Sequence, residues 1–362
     1  MSADLAARLS ELTLELVDLP SESRNEAAIL DHMARRVPGG AFRLIDDADA
    51  VRCFLPGERR ASAPLVLLVG HVDTVPANGN LPGRREGDVV VGRGAADMKG
   101  ALAVILEVAQ VVADGRPSDI DVGLLFFGRE ELPAPESALA PFLERCSEVR
   151  SADLAIVMEP TDGRLELGCL GNLNATVTVR GRAAHAARPW LGENAVHAAL
   201  EALRPIAERG PRDVTIDGLT FREVVSVTRI AGGIASNVVP DVVVATVNLR
   251  YAPGRTPAEA EAELRDLVGS QVEVAVVGNA APAPAATRNA LVERLRRAGG
   301  LEAAPKQAWT PVAELAAAGV DAVNFGPGDP GYAHRDDERI EAASLVHATE
   351  VLLAFLAGGE GG

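Results

Sequence analysis

Four stretches of this chain are apolar almost without interruption yet too short to form helices: residues 65–69, 122–127, 154–157 and 320–325. A strand covered on both faces of a parallel sheet reads as just such a run, because neither side of it meets water. Residues 99–113, between the first and second runs, carry apolar positions at helical spacing. So do residues 3–19 and, after the break Pro20-Ser21-Glu22-Ser23, residues 25–36. Strand and helix in alternation predict an α/β domain with a largely parallel core sheet.

The middle of the chain has a different rhythm. Residues 173–180 alternate apolar and polar, 194–209 read as helix, 224–230 and 242–250 as strands, 257–267 as helix and 272–277 as a last strand. The order β-α-β-β-α-β is the ferredoxin-like plan, which closes on itself. An Ala/Pro-rich segment, residues 280–286, then returns to material like that of the first part. The expected organisation is a discontinuous α/β domain, 1–171 and 281–362, interrupted by an inserted domain, 172–280. No internal repeat is apparent.

Composition narrows the partners. The 362 residues include 35 Lys+Arg against 51 Asp+Glu, a net charge of −16, which repels a polyphosphate backbone and argues against nucleic acid. Cys53, Cys146 and Cys169 are too few and too scattered for a disulfide framework, which fits a reducing cytoplasm. Residues 1–20 mix charged and apolar residues like no signal peptide, and no apolar stretch approaches the ~18 residues of a membrane span. A soluble cytoplasmic protein with no membrane partner is expected.

In open α/β sheets ligands gather at the carboxyl ends of the strands. The run 65–69 ends in Gly70-His71-Val72-Asp73, 122–127 in Gly128-Arg129-Glu130-Glu131, 154–157 in Met158-Glu159-Pro160, and 320–325 in Gly326-Pro327-Gly328, with His334 beyond; Asp97 directly precedes the helix 99–113. Each has an ordinary reading when taken alone. A histidine after a strand is commonly a hydrogen-bonded surface residue, Glu130-Glu131 a solvated loop, and Asp97 a helix cap. Their joint placement at one edge is what points to chemistry, because clustered carboxylates repel unless cations neutralise them. Imidazole and carboxylate suit zinc, and this donor set exceeds one tetrahedral ion, so a two-metal site with a bridging carboxylate is favoured. On extended backbone Glu130 and Glu131 point apart, so one binds metal while the other stays free as a base.

The motifs Gly70-His71-Val72-Asp73-Thr74-Val75-Pro76, Gly92-Arg93-Gly94-Ala95-Ala96-Asp97-Met98-Lys99-Gly100, Glu130-Glu131, Met158-Glu159-Pro160 and the late His334 resemble those of the dizinc aminoacylase/carboxypeptidase family, which includes acetylornithine deacetylase. The likeness runs nearly end to end, from Pro20-Ser21-Glu22-Ser23-Arg24 to Asn324-Phe325-Gly326-Pro327-Gly328-Asp329-Pro330. Within the family the chain looks most like its desuccinylase branch in actinobacterial form. That resemblance implies hydrolysis of N-succinyl-diaminopimelate, an N-succinyl amino dicarboxylic acid, to succinate and diaminopimelate, in the supply of lysine and cell-wall precursors. A deacylase of another N-acyl amino acid, such as acetylornithine, or a dipeptidase is the neighbouring alternative.

The resemblance also implies roles. His71 and Glu159 hold one zinc, Glu131 and His334 the other, and Asp97 bridges them ahead of a cis peptide to Met98; cobalt or manganese substitutes for zinc. Asp73 orients His71, Glu130 is the general base, and His185, Asn237, Arg250 and Gly328 contact a small anionic N-acyl substrate. Also implied are a catalytic metal-binding role for the discontinuous domain, 1–171 and 281–362, and a lid and homodimerisation role for the inserted domain, 172–280, with His185 serving the partner's oxyanion. The chemistry is consistent. A divalent ion lowers the pKa of water from 15.7 to about 7, a carboxylate relays its proton to the leaving amine, an imidazole donates to the oxyanion, and a guanidinium forks onto a carboxylate. The chain departs from the pattern where Trp309-Thr310-Pro311-Val312 carries Pro311 in place of the family's usual Asp, and in the proline-rich loop Leu132-Pro133-Ala134-Pro135. A non-catalytic binding protein would need no free base beside a metal pair. The glycine-rich segments Gly92-Arg93-Gly94 and Gly326-Pro327-Gly328 lack a phosphate-binding fingerprint.

Overall fold

Every residue of the strands Leu65–His71, Asp121–Phe127 and Leu154–Val157 is buried, as strands covered on both faces must be. In the computed structural model, which describes residues 2–116 and 118–358, they form the centre of an eight-stranded sheet. Its order is Phe42–Asp46, Val51–Pro56, Asp121–Phe127, Leu65–His71, Leu154–Val157, Ala322–Asn324, Leu165–Leu167, Ala303–Pro305. The four middle strands run parallel, while the pairings outward to Val51–Pro56 and Leu165–Leu167 are antiparallel. The helices Ser2–Val17, Gly100–Ala113 and Ala342–Ala357 pack on one another and bury Leu9, Leu16, Leu102, Ile105, Leu345 and Leu352.

Two local features of this sheet depart from the sequence reading. The run 320–325 supplies a strand only over Ala322–Asn324. The chain then passes hard against the segment leading to Glu159, where a Cβ on Gly326 would sit 2.2 Å from the carbonyl oxygen of Met158, so only glycine fits. The hairpin Phe42–Asp46/Val51–Pro56 was not foreseen, because charges at Arg43, Asp46, Asp47 and Asp49 blur its apolar pattern.

The chain divides into two units. One takes residues up to 168, 285–304 and those from 310 on; the other takes 169–284 and 305–309. Residues 305–309 go with the second because Leu170 N donates to Ala308 O at 3.2 Å, and Gln307 accepts from Arg222 N at 3.0 Å and donates to Thr220 O at 3.0 Å.

The second unit is a five-stranded antiparallel sheet ordered Arg212–Ile216, Leu219–Gly232, Val242–Tyr251, Gly171–Arg180, Glu273–Ala280. Its last four strands have the ferredoxin-like order. Leu173, Ala175, Val177, Val247 and Leu249 alternate onto one face, where they meet Ala199, Leu203, Ala260 and Leu264 of the helices Ala195–Glu208 and Pro257–Val268. Asn194 caps the first helix and a Thr256/Glu259 capping box opens the second. The extra strand Arg212–Ile216 was missed, although its turn is signalled by Asp217-Gly218, both at positive φ.

Candidate metal centre

The carboxyl ends of the central strands deliver the first group of side chains to one place. His71 closes the strand Leu65–His71, Glu130 and Glu131 follow Asp121–Phe127, and Glu159 follows Leu154–Val157. Asp97 sits between left-handed Gly94 and the helix Gly100–Ala113, and its peptide bond to Met98 is cis. His334 arrives from the far end of the chain, itself at φ 64°.

Asp97 offers one oxygen to each histidine. His71 Nε2 lies 3.0 Å from Oδ1 and His334 Nε2 lies 3.4 Å from Oδ2. Glu159 Oε1 stands 3.8 Å from His71 Nε2, and Glu131 Oε1 3.0 Å from His334 Nε2. Among the described residues, His71/Asp97/Glu159 and Asp97/Glu131/His334 each place three potential ligand atoms within 4.8 Å of one another, as do His71/Glu130/Glu131. Two triads thus share Asp97, and their nitrogen and oxygen donors match what zinc and similar divalent ions take.

Electrostatics agree. Burial alone would depress His71, but its contacts with Asp73 and Asp97 raise it well above the usual histidine range. Hydrogen bonds donated by His334 to the carboxylates of Asp97 and Glu131 lift its pKa to about 10. Burial, reinforced by Glu159, Glu131 and Asp97 and opposed by His71, pushes Glu130 well above the ordinary carboxylate range. The carboxylates therefore demand positive charge. Divalent cations satisfy that demand and release the imidazole nitrogens for ligation.

Asp73 meets His71 through its main chain rather than through its carboxylate. His71 Nδ1 donates to the main-chain carbonyl of Asp73 at 3.0 Å, leaving Nε2 toward the cluster; the Asp73 carboxylate lies 3.6 Å away and contributes charge. That carboxylate instead accepts from Glu130 N at 3.0 Å, Glu131 N at 3.2 Å and Ser23 Oγ at 2.7 Å. It pins the backbone of the two glutamates to the end of the neighbouring strand, as outer-sphere groups of metal centres do.

A family model described as "Peptidase family M20/M25/M40" matches residues 67–358. The chain belongs to this peptidase family. The M20 chain is 41% identical over 358 residues to a Mycobacterium tuberculosis protein assigned as a succinyl-diaminopimelate desuccinylase, covering 98% of this chain and 99% of that one. It is 36% identical over 356 residues to the succinyl-diaminopimelate desuccinylase of Corynebacterium glutamicum, covering 95% of each. Among solved structures, the aminopeptidase PepT of Bacillus cereus has a TM-score of 0.80 at 19% identity, covering 97% of this chain and 98% of that one, which is a likeness of fold. This M20 protein is a metal-dependent amide hydrolase.

Its remaining foreseen residues fall in two places. His185 and Asn237 share neighbouring loops of the second unit: Ala186 N donates to Asn237 O at 2.9 Å, and His185 Nδ1 accepts from Ala187 N at 3.0 Å. Arg250 closes a polar row on the sheet. Its Nε donates to Asn248 Oδ1 at 3.0 Å, and Asn248 Nδ2 bonds Asn172 and Asn174 at 2.7 and 2.8 Å. No carboxylate pairs with Arg250 among the described residues, and burial lowers its pKa from the ordinary arginine value. Gly328, at φ 90°, lies in the first unit with its N–H on Ser344 Oγ and its carbonyl on Asp162 N, so it contributes a tight turn beside Ala96. Pro311 precedes the helix Val312–Ala317, where a missing N–H is no loss.

Proposed function

We propose that this hydrolase cleaves the amide of N-succinyl-diaminopimelate, releasing succinate and diaminopimelate in the cytoplasm, with two divalent ions of which zinc is the resident and cobalt or manganese a substitute. The observation that carries the reaction class is the pair of triads sharing Asp97, with Glu130 alongside. The two desuccinylases it resembles along nearly their whole length support the substrate. His71, Glu159 and Asp97 would hold one ion, and Asp97, Glu131 and His334 the other. When bound, the ions supply Lewis acidity that brings water's pKa near 7. Glu130 takes the proton of the attacking water and passes it to the leaving amine. His185 donates to the developing oxyanion and Asn237 helps hold the acyl side.

Assaying N-succinyl, N-acetyl and dipeptide substrates on zinc-loaded and cobalt-loaded protein tests the reading. N-succinyl-diaminopimelate is expected to show the highest kcat/KM; a higher value for acetylornithine or a dipeptide transfers the chain to another branch of the family.

Arg250 is the proposed carboxylate fork, since a desolvated guanidinium without a protein counter-charge favours an anionic ligand. Arg250→Lys keeps the charge and loses the fork. Roughly tenfold lower kcat/KM with unchanged metal content is expected, and wild-type kinetics would assign Arg250 to the sheet alone.

We further propose a dimer of second units. The strand Leu219–Gly232 pairs with Arg212–Ile216 only over 219–223, so 224–232 keep one edge without a strand among the described residues, an edge that pairs readily with a second copy. Val196 and Leu200, one turn apart on the helix Ala195–Glu208, are exposed, Leu200 by 61%, and Ile230 is 56% exposed. With His185 serving the partner's oxyanion, mixing inactive Glu130→Ala and His185→Ala proteins and allowing subunit exchange is expected to restore about a quarter of wild-type activity, because half of the dimers are mixed and each holds one intact site. Verified exchange with activity at background refutes the role in trans.

A further inference from the structure

Glu338 stands outside the ligand set, yet it is among the least exposed charged groups of the first unit, its side chain 1% exposed. Its two oxygens are divided between two tasks. Oε1 accepts from the peptide N–H of Asp97 at 3.1 Å and of Ala96 at 3.2 Å. Oε2 takes Arg93 Nη1 at 2.8 Å in a buried ion pair, and the same Nη1 reaches Arg335 O at 3.3 Å. The backbone repeats the tie, since Gly92 N donates to Glu338 O at 2.9 Å and Arg339–Glu341 pairs as a strand with Val89–Val91. The loop that carries His334 is thus tied to the turn that carries Asp97 through this carboxylate and through the backbone around it.

We propose that Glu338, held by Arg93, is a positioning residue that sets Asp97 between the two ions by gripping the peptide N–H of Asp97 itself. The inference rests on the metal-centre reading above. Asp97 is common to both triads, so its displacement disturbs both ions together, whereas displacing Glu159 or Glu131 disturbs one. A buried carboxylate that accepts two N–H groups and a guanidinium is costly to replace, because any neutral substitute leaves one of these donors unmet.

Glu338→Gln preserves the shape, but the single amide oxygen can serve either the peptide N–H groups or Arg93. The expected result is a folded protein by circular dichroism, with affinity for both Zn²⁺ ions lowered 10–100-fold in chelator competition and an altered visible absorption spectrum of its Co²⁺ form. Arg93→Lys, which keeps the charge and leaves the N–H contacts in place, is expected to weaken binding about three- to tenfold. In an Asp97→Asn background Glu338→Gln is expected to add no further loss, because it acts through Asp97. Wild-type affinity and spectrum in folded Glu338→Gln overturn the proposal, as does an additive loss in the double variant. If Glu338→Gln does not fold, wild-type affinity in Arg93→Lys overturns it. A wild-type chain that takes up no metal overturns the metal-centre reading and the proposal with it, whereas a metal-binding wild type with an indifferent Glu338→Gln overturns the proposal alone.

Discussion

Glu130→Ala is expected to lower kcat by about 10²–10⁴-fold, the range for removing a general acid–base group, while retaining the wild-type metal content. The separation of the two effects follows from the division of labour proposed for the adjacent glutamates. Glu131 lies 3.0 Å from His334 in the triad with Asp97. Glu130 is half-buried beside His71, and its surroundings raise its proton affinity well above that of an ordinary carboxylate, as suits a proton carrier. Asp73 holds the main-chain N–H of both residues, so truncating the Glu130 side chain leaves the backbone that aims Glu131 in place. Metal analysis together with steady-state kinetics checks the point. If Glu130→Ala loses an ion, the roles of Glu130 and Glu131 are reversed.

Chelation is expected to abolish activity, and titrating apoprotein with Zn²⁺ to restore it at about two ions per chain, one for each triad. Affinity should rise with pH. His71 and His334 are held protonated by their carboxylate neighbours, His334 with a pKa of about 10, and each must shed its proton to ligate. Below that pKa, binding tightens about tenfold per pH unit for each proton displaced. Calorimetry at pH 7 in buffers of different ionisation enthalpy should register proton release on zinc uptake. Because the ions bind the folded chain, stripping them should also lower Tm; free metal at 1,000 times Kd is worth about 4 kcal/mol per ion. Full activity in chelator, or uptake without proton release, counts against the centre.

Much of the architecture was legible because it depends on local patterns. The buried runs ending at His71, Phe127 and Val157 mark the parallel strands, and Leu173 to Val179 alternates as a one-sided sheet must. The hairpin Phe42–Asp46/Val51–Pro56 was hidden by its charges, and Arg212–Ile216 by a pattern too short to stand out. Residues 305–309 join the second unit through hydrogen bonding to Leu170, Thr220 and Arg222, which no local pattern encodes.

For the site, residue type and position nominate His71, Glu130, Glu131 and Glu159 just after strands, Asp97 just before a helix and His334 beyond the last apolar run, since strand ends in an open α/β sheet share one edge. By itself the sequence determined the parallel core of the sheet, the donor chemistry and the family motifs, all properties of short segments. Only the tertiary structure decided that Asp97 gives one oxygen to each histidine, that Asp73 meets His71 through its carbonyl and the glutamates' N–H groups through its carboxylate, and that Glu338 bridges Arg93 and the peptide N–H of Asp97. Those relations depend on which oxygen faces which donor, often between segments far apart in the chain. Hydrogen-bond direction is set by packing, and residue spacing carries no record of it.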